Sequence, residues 1–189
     1  LSGLTITPAA DSDADFSLTV TATSTEADGG DTSSIVGNIN VSVDAVADQP
    51  SLTVANATGN EDTAIALDLE GSVSGGGEIV SYVVAGIPTG AVLSAGELQS
   101  DGSYVLTPAE AANVTLTPPS NSGVDIPLTI TINSQEADVD GGDPVTSSAT
   151  ENMTVVVDAV ADAPNLSVEA ASGNEDTAIA LSIDTSLND

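Results

Sequence analysis

The chain has 189 residues, no Lys, Arg, His or Cys, and 29 Asp plus Glu, for a formal charge of −29. Those absences exclude disulfides, a Cys/His zinc site, internal salt bridges, a base-activated Ser or Thr nucleophile, and the cationic surface that nucleic-acid phosphate requires. Hydrophobic content of 40% in short periodic runs nevertheless suffices for an aliphatic core, with Phe16, Tyr82 and Tyr104 the only aromatics.

Period-2 alternation dominates from the start. Phe16, Leu18, Val20 and Ala22 alternate with Ser and Thr, and Ile39, Val41 and Val43 follow before an Asp-rich linker. Further strands are predicted at Leu52–Val54, Ile65–Leu69, Ile79–Val84, Tyr104–Thr107 and Val114–Thr117. Ile126 to Ile132 and Met153 to Val157 then repeat the early alternation. Turn clusters such as Gly75-Gly76-Gly77 and Pro88-Thr89-Gly90 separate them. Thr107-Pro108-Ala109-Glu110 carries a helix start, long enough for one turn. The expected fold is all-β, a β-sandwich. No apolar run reaches membrane-spanning length, so no membrane insertion is expected.

Part of the sequence is written twice. Val43-Asp44-Ala45-Val46-Ala47-Asp48-Gln49-Pro50 returns as Val157-Asp158-Ala159-Val160-Ala161-Asp162-Ala163-Pro164, and Gly59 to Leu67 returns unchanged at Gly173 to Leu181. Both pairs are offset by 114 residues, a period of domain size, which predicts tandem sandwiches joined end to end. The frame assigns 1–48 to the latter part of one unit, 49–162 to a complete unit and 163–189 to the opening of a third. Only the middle unit is expected to bury a full core. The flanking pieces lack partner strands and are expected to be less well ordered or completed by neighbouring chains. Both ends look like excision points.

Linker, acidic motif and acidic loop recurring in order resemble the cadherin-like or immunoglobulin-like extender repeats of giant RTX-type bacterial surface adhesins. The residues that carry the resemblance are Asp158 to Pro164 with Gly173-Asn174-Glu175-Asp176-Thr177, their earlier copies, and Asp15 to Thr23 with Glu26-Ala27-Asp28-Gly29-Gly30-Asp31. The resemblance implies extracellular, cell-surface rods, stiffened by Ca²⁺, that hold adhesive modules away from the cell. The glycine-rich nonapeptide repeats of such proteins are not in this sequence.

A charge of −29 should self-repel unless it is solvated or neutralised, and clustered carboxylates with carbonyls suit Ca²⁺. Strand direction indicates which clusters can meet. The last strand of a unit descends to the C-terminal linker and the strand before it ends at the top. The loop Glu136, Asp138, Asp140 and Asp143 should therefore lie beside Asp44 and Asp48 of the N-terminal linker. The first strand descends and carries Glu61 and Asp62 to the base, where Asp158 and Asp162 leave. These ten residues are the expected Ca²⁺ ligands; the alternatives are a local turn at Glu61 to Thr63, a solvated loop and a hydrophilic linker. The two-residue insertion that lengthens Asp-Gly-Gly-Asp to Asp-Val-Asp-Gly-Gly-Asp predicts that ligand geometry varies between units. The expected partners are neighbouring repeats of the same chain. Self-association into a filament, or ligand binding by the sandwich itself, is the alternative function. Catalysis is not expected, because paired carboxylates alone remain and they cluster in turns and linkers.

Overall fold

A computed structural model of the protein describes residues 2–74 and 79–187. The Gly75-Gly76-Gly77 turn lies outside the described residues.

A two-stranded hairpin comes first, β1 (Phe16–Thr25) against β2 (Thr32–Val41), in continuous antiparallel register from Phe16↔Val41 to Thr25↔Thr32. Val43, expected to continue this alternation, lies past the strand end. The central body then runs through β3 (Ser51–Val54), β4 (Ala57–Asn60), β5 (Ile65–Ala66), β6 (Leu69–Ser72), β7 (Ile79–Ala85), β8 (Val92–Leu93), β9 (Glu97–Leu98) and β10 (Tyr104–Leu106). One helical turn, α1 (Pro108–Ala111), precedes β11 (Thr115–Thr117), β12 (Ile126–Glu136) and β13 (Val145–Asp158). A second small hairpin, β14 (Asn165–Val168) with β15 (Ile183–Ser186), ends the described chain.

The central body is a β-sandwich. One sheet has the order β4-β13-β12-β7-β10-β9; opposite it lie β5-β11-β8 and the pair β3-β6. Alternation puts one row of each strand inside. Along β12, Ile126, Leu128, Ile130 and Ile132 are buried while Pro127 and Thr129 face out. Met153, Val155 and Val157 of β13, Tyr82 and Val84 of β7, and Leu106 meet Ile65, Leu69, Leu93 and Leu116 in one aliphatic cluster. Truncating a fully enclosed member such as Ile130 should cost about 2–5 kcal/mol.

β8, β9, β14 and β15 were not among the expected strands, and two further departures bear on the site. Ile65–Leu69 is not one strand: β5 pairs with β11, and after Leu67-Asp68 the chain changes sheets so that β6 pairs with β3. Ile65, Leu67 and Leu69 are all buried, so the period-2 pattern runs unbroken through the change. The second departure is β4, a strand that the alternation did not announce. It pairs parallel with β13, from Ala57↔Val155 to Asn60↔Asp158, and Asn56 Oδ1 accepts from Thr154 N at 2.8 Å beside it.

α1 carries a full capping box: Glu110 N donates to Thr107 Oγ1, and Thr107 N donates to Glu110 Oε2 at 2.8 Å. Gly71 fits where a Cβ would strike Ile132 Cδ1 and the Tyr82 hydroxyl. Tyr82 lies over that glycine, and burial raises its phenol pKa.

The flanking hairpins have apolar residues without a covering sheet among the described residues. Val20, Ile35, Val36 and Ile39 are exposed in the first, and Leu166, Val168 and Ile183 in the second. The first forms across a six-residue loop, whereas β14 and β15 pair across residues 169–182, the same separation as β3 and β6 in the central body.

Candidate functional site: the acidic ends of the sandwich

Each end of the sandwich is built by backbone and side-chain hydrogen bonds that bring carboxylates to the linkers. At the base, β4 and β13 run side by side into Glu61 and the C-terminal linker. Glu61 N donates to Asp158 O at 3.0 Å, and Glu61 Oε1 accepts from Val160 N at 2.7 Å. Glu61 is only 6% exposed, so this carboxylate is spent on holding the linker. Asp62 turns the other way. Its backbone is left-handed, at φ 59°, and Oδ1 accepts from Asn121 N. Thr63 closes the turn by donating to Asn60 O at 2.7 Å.

The later copy folds alike locally. Asp176 has φ 62°, Thr177 Oγ1 donates to Asn174 O at 2.8 Å, and a Cβ on Gly173 would meet Ile179 as one on Gly59 would meet Ile65. The duplicated sequence thus encodes a glycine-dependent turn, and in the complete sandwich that turn aims a glutamate at the linker.

Asp125, which the sequence reading passed over, joins the base: Oδ1 accepts from Val157 N at 3.0 Å. Asp15 does the same in the first hairpin, accepting from Val43 N at 2.9 Å. These aspartates could have been found from sequence. Thr115-Leu116-Thr117-Pro118 aligns with Thr5-Ile6-Thr7-Pro8 at an offset of 110, which sets Asp15 against Asp125 and Asp11 against Asn121. Asp11 and Asn121 share the left-handed backbone as well, at φ 55° and 53°.

The top of the sandwich meets the segment before β1. Ser134, fully buried at an inward position of β12, donates its hydroxyl to Asp48 O and so fastens the linker. A polar residue at the end of the inward Ile-Leu-Ile-Ile row was the signal for it. An open cleft of about 310 Å³ results, whose acidic lining is Asp11, Asp13, Asp44, Asp48 and Glu136. Asp13 is 6% exposed, and its Oδ2 accepts from Val139 N at 2.8 Å. Asp15 N donates to Asp140 Oδ2 at 3.1 Å.

The ten expected ligands therefore fall into groups. Asp44, Asp48 and Glu136 line one cleft, with Asp138 and Asp140 in the adjoining loop. Glu61 and Asp158 meet at the base through Asp158's carbonyl oxygen, while Asp62 points to the Asn121 loop. Asp143 and Asp162 are exposed and stand outside these bonded groups. Among the described residues no three carboxylates converge into a ready metal cage. The donor chemistry still fits a hard cation: the acidic side chains and carbonyls here offer oxygen alone, and the chain has no basic side chain to neutralise Asp13. No protein-family model matches the chain, and no curated protein sequence does.

Proposed function

We propose that the chain is a structural extender: sandwich units in series, stiffened at their junctions by Ca²⁺, in a large secreted cell-surface adhesin or fibre. The observation that carries this reading is the top junction. Carboxylates from the N-terminal segment, the linker and the last residue of β12 share one cleft, and Asp13 is buried there in a chain without a single basic side chain. A buried carboxylate is costly unless hydrogen-bonded and charge-compensated, and a divalent ion would supply the missing compensation. Asp11, Asp13, Asp44, Asp48 and Glu136 line the cleft without converging as they stand; those of them that closed on an ion would hold it, and the ion would supply charge neutralisation and a shared attachment for both bodies. The repeated turn and linker support a serial arrangement.

The exposed apolar rows of the flanking hairpins favour a second reading, in which copies of the chain pair through those faces into a filament.

Calorimetric titration of the chain with Ca²⁺, repeated in chelator, tests the first reading. Saturation at a hundredfold excess over Kd should stabilise the fold by about 2.7 kcal/mol per site. Superimposable melting curves with and without Ca²⁺ would refute it, and a concentration-dependent molecular mass would favour the filament.

A further inference from the structure

The two hairpin loops differ by two residues, and those two residues make the contact across the top junction. The loop after β1, Glu26 to Asp31, closes on itself by a bond from Glu26 N to Asp31 O at 2.8 Å. The loop after β12 has Val139-Asp140 inserted between Asp138 and Gly141. Gly141 N donates to Asp138 O at 3.2 Å, so the inserted pair occupies the two central positions of a turn. Asp140 N donates to Asp138 Oδ1 at 2.8 Å, and a Cβ at Gly142 would displace the Asp138 carboxylate from its present position.

This projecting tip is what meets the segment ahead of β1. Val139 N donates to the buried Asp13, and Asp140 Oδ2 accepts from Asp15 N. Asp15 is in turn clamped to Val43 N, which fixes the contacted segment to the end of β2. A loop of the shorter form has no such tip.

We propose that Val139-Asp140 is a hydrogen-bonded latch that couples the sandwich to the body preceding it without any ion. Loop length then encodes which junctions are coupled: a unit with the six-residue acidic loop is released from the body before it, and one with the eight-residue loop is held. The contact is independent of the spacer reading; only its consequence for an array rests on that reading.

The test is amide relaxation and hydrogen exchange by NMR on the full chain in chelator. Deleting Val139-Asp140, which recreates the shorter loop, should leave the central amides ordered while the β1–β2 amides lose their shared tumbling with them. Exchange at the Asp15 amide should rise by about three- to tenfold, the worth of one such bond. Asp13→Ala, which removes only the acceptor, should uncouple the hairpin too, and decides the matter alone if the deletion does not fold. Asp140→Asn keeps an acceptor oxygen and loses the charge, so it should stay coupled in chelator. Unchanged β1–β2 relaxation in the deletion and in Asp13→Ala would overturn the latch, as would uncoupling by Asp140→Asn. Because every arm is read without calcium, failure here is distinct from failure of the calcium titration.

Discussion

Replacing Glu61 with Ala removes the carboxylate that accepts from Val160 N at 2.7 Å, in a side chain that is 6% exposed. A hydrogen bond to a charged group contributes about 1.5–3 kcal/mol, but Val160 itself is 46% exposed, so water can satisfy its amide after the truncation. That puts the expected loss near the lower end, about 1–2 kcal/mol. With roughly 4 °C per kcal/mol for a body of this size, melting should fall by about 4–8 °C. A competing effect runs the other way, because the variant carries one negative charge fewer in a chain at −29. Glu61→Gln separates the two: it keeps an oxygen acceptor, loses the charge, and should lose less stability than Glu61→Ala. Both variants should be melted in chelator by calorimetry, beside Glu97→Gln as an exposed charge control. If Glu61→Ala melts within a degree of the parent, the linker clamp contributes nothing and the account of the base is wrong.

Gly71→Ala should destabilise by about 1–3 kcal/mol, because its methyl would drive into Ile132 and the Tyr82 hydroxyl; an unchanged denaturation midpoint would show that the pocket opens freely. Acid should weaken the β9–β11 region. The Ser103 hydroxyl and amide hold the Asp101 carboxyl below its usual range, and the Thr107 amide and hydroxyl do so for Glu110. Both contributions are present above the ordinary carboxylate value and are lost as pH falls through the depressed folded one. Glu110→Gln should therefore flatten the acid limb of a stability-against-pH curve, and an identical limb would refute the assignment.

Legibility in sequence followed the physics of each element. β12 and the end of β13 from Met153 were readable because a strand buried on one face must alternate, while Val145–Asn152, with no buried residue, gave no such pattern. The Thr107–Glu110 cap was readable because its hydrogen bonds are local. The sheet change at Leu67-Asp68 was invisible, since alternation records which face is inward and not which strand lies alongside. β4 was hidden for a different reason: Ala57-Thr58-Gly59-Asn60 has little strand character, and its pairing is imposed by β13 and the Asn56 side chain. At the acidic ends, strand direction correctly brought Glu136 to the Asp44–Asp48 linker and Glu61 to Asp158. Asp13 was missed because a single carboxylate in a chain this acidic carries little contrast, and Asp15 and Asp125 because only the 110-residue alignment singles them out. Their roles as backbone acceptors depend on contacts far apart in sequence.

The parallel pairing of β4 with β13 has a mechanical consequence. β4 follows β3 after the N-terminal linker and β13 leads into the C-terminal one, and both β4 and β13 point toward the base. A pull applied at the two linkers drags these neighbours past each other lengthwise, so the ladder from Ala57↔Val155 to Asn60↔Asp158 is loaded in shear, all its bonds together. A hairpin pulled from its open end is peeled one bond at a time; this edge is not. Glu61, bonded by its amide to Asp158 and by its carboxylate to Val160, sits at the end of the ladder where the load enters. This four-residue edge strand of the large sheet, with the β3–β6 pair ahead of it, thereby bears the tension that enters along the chain.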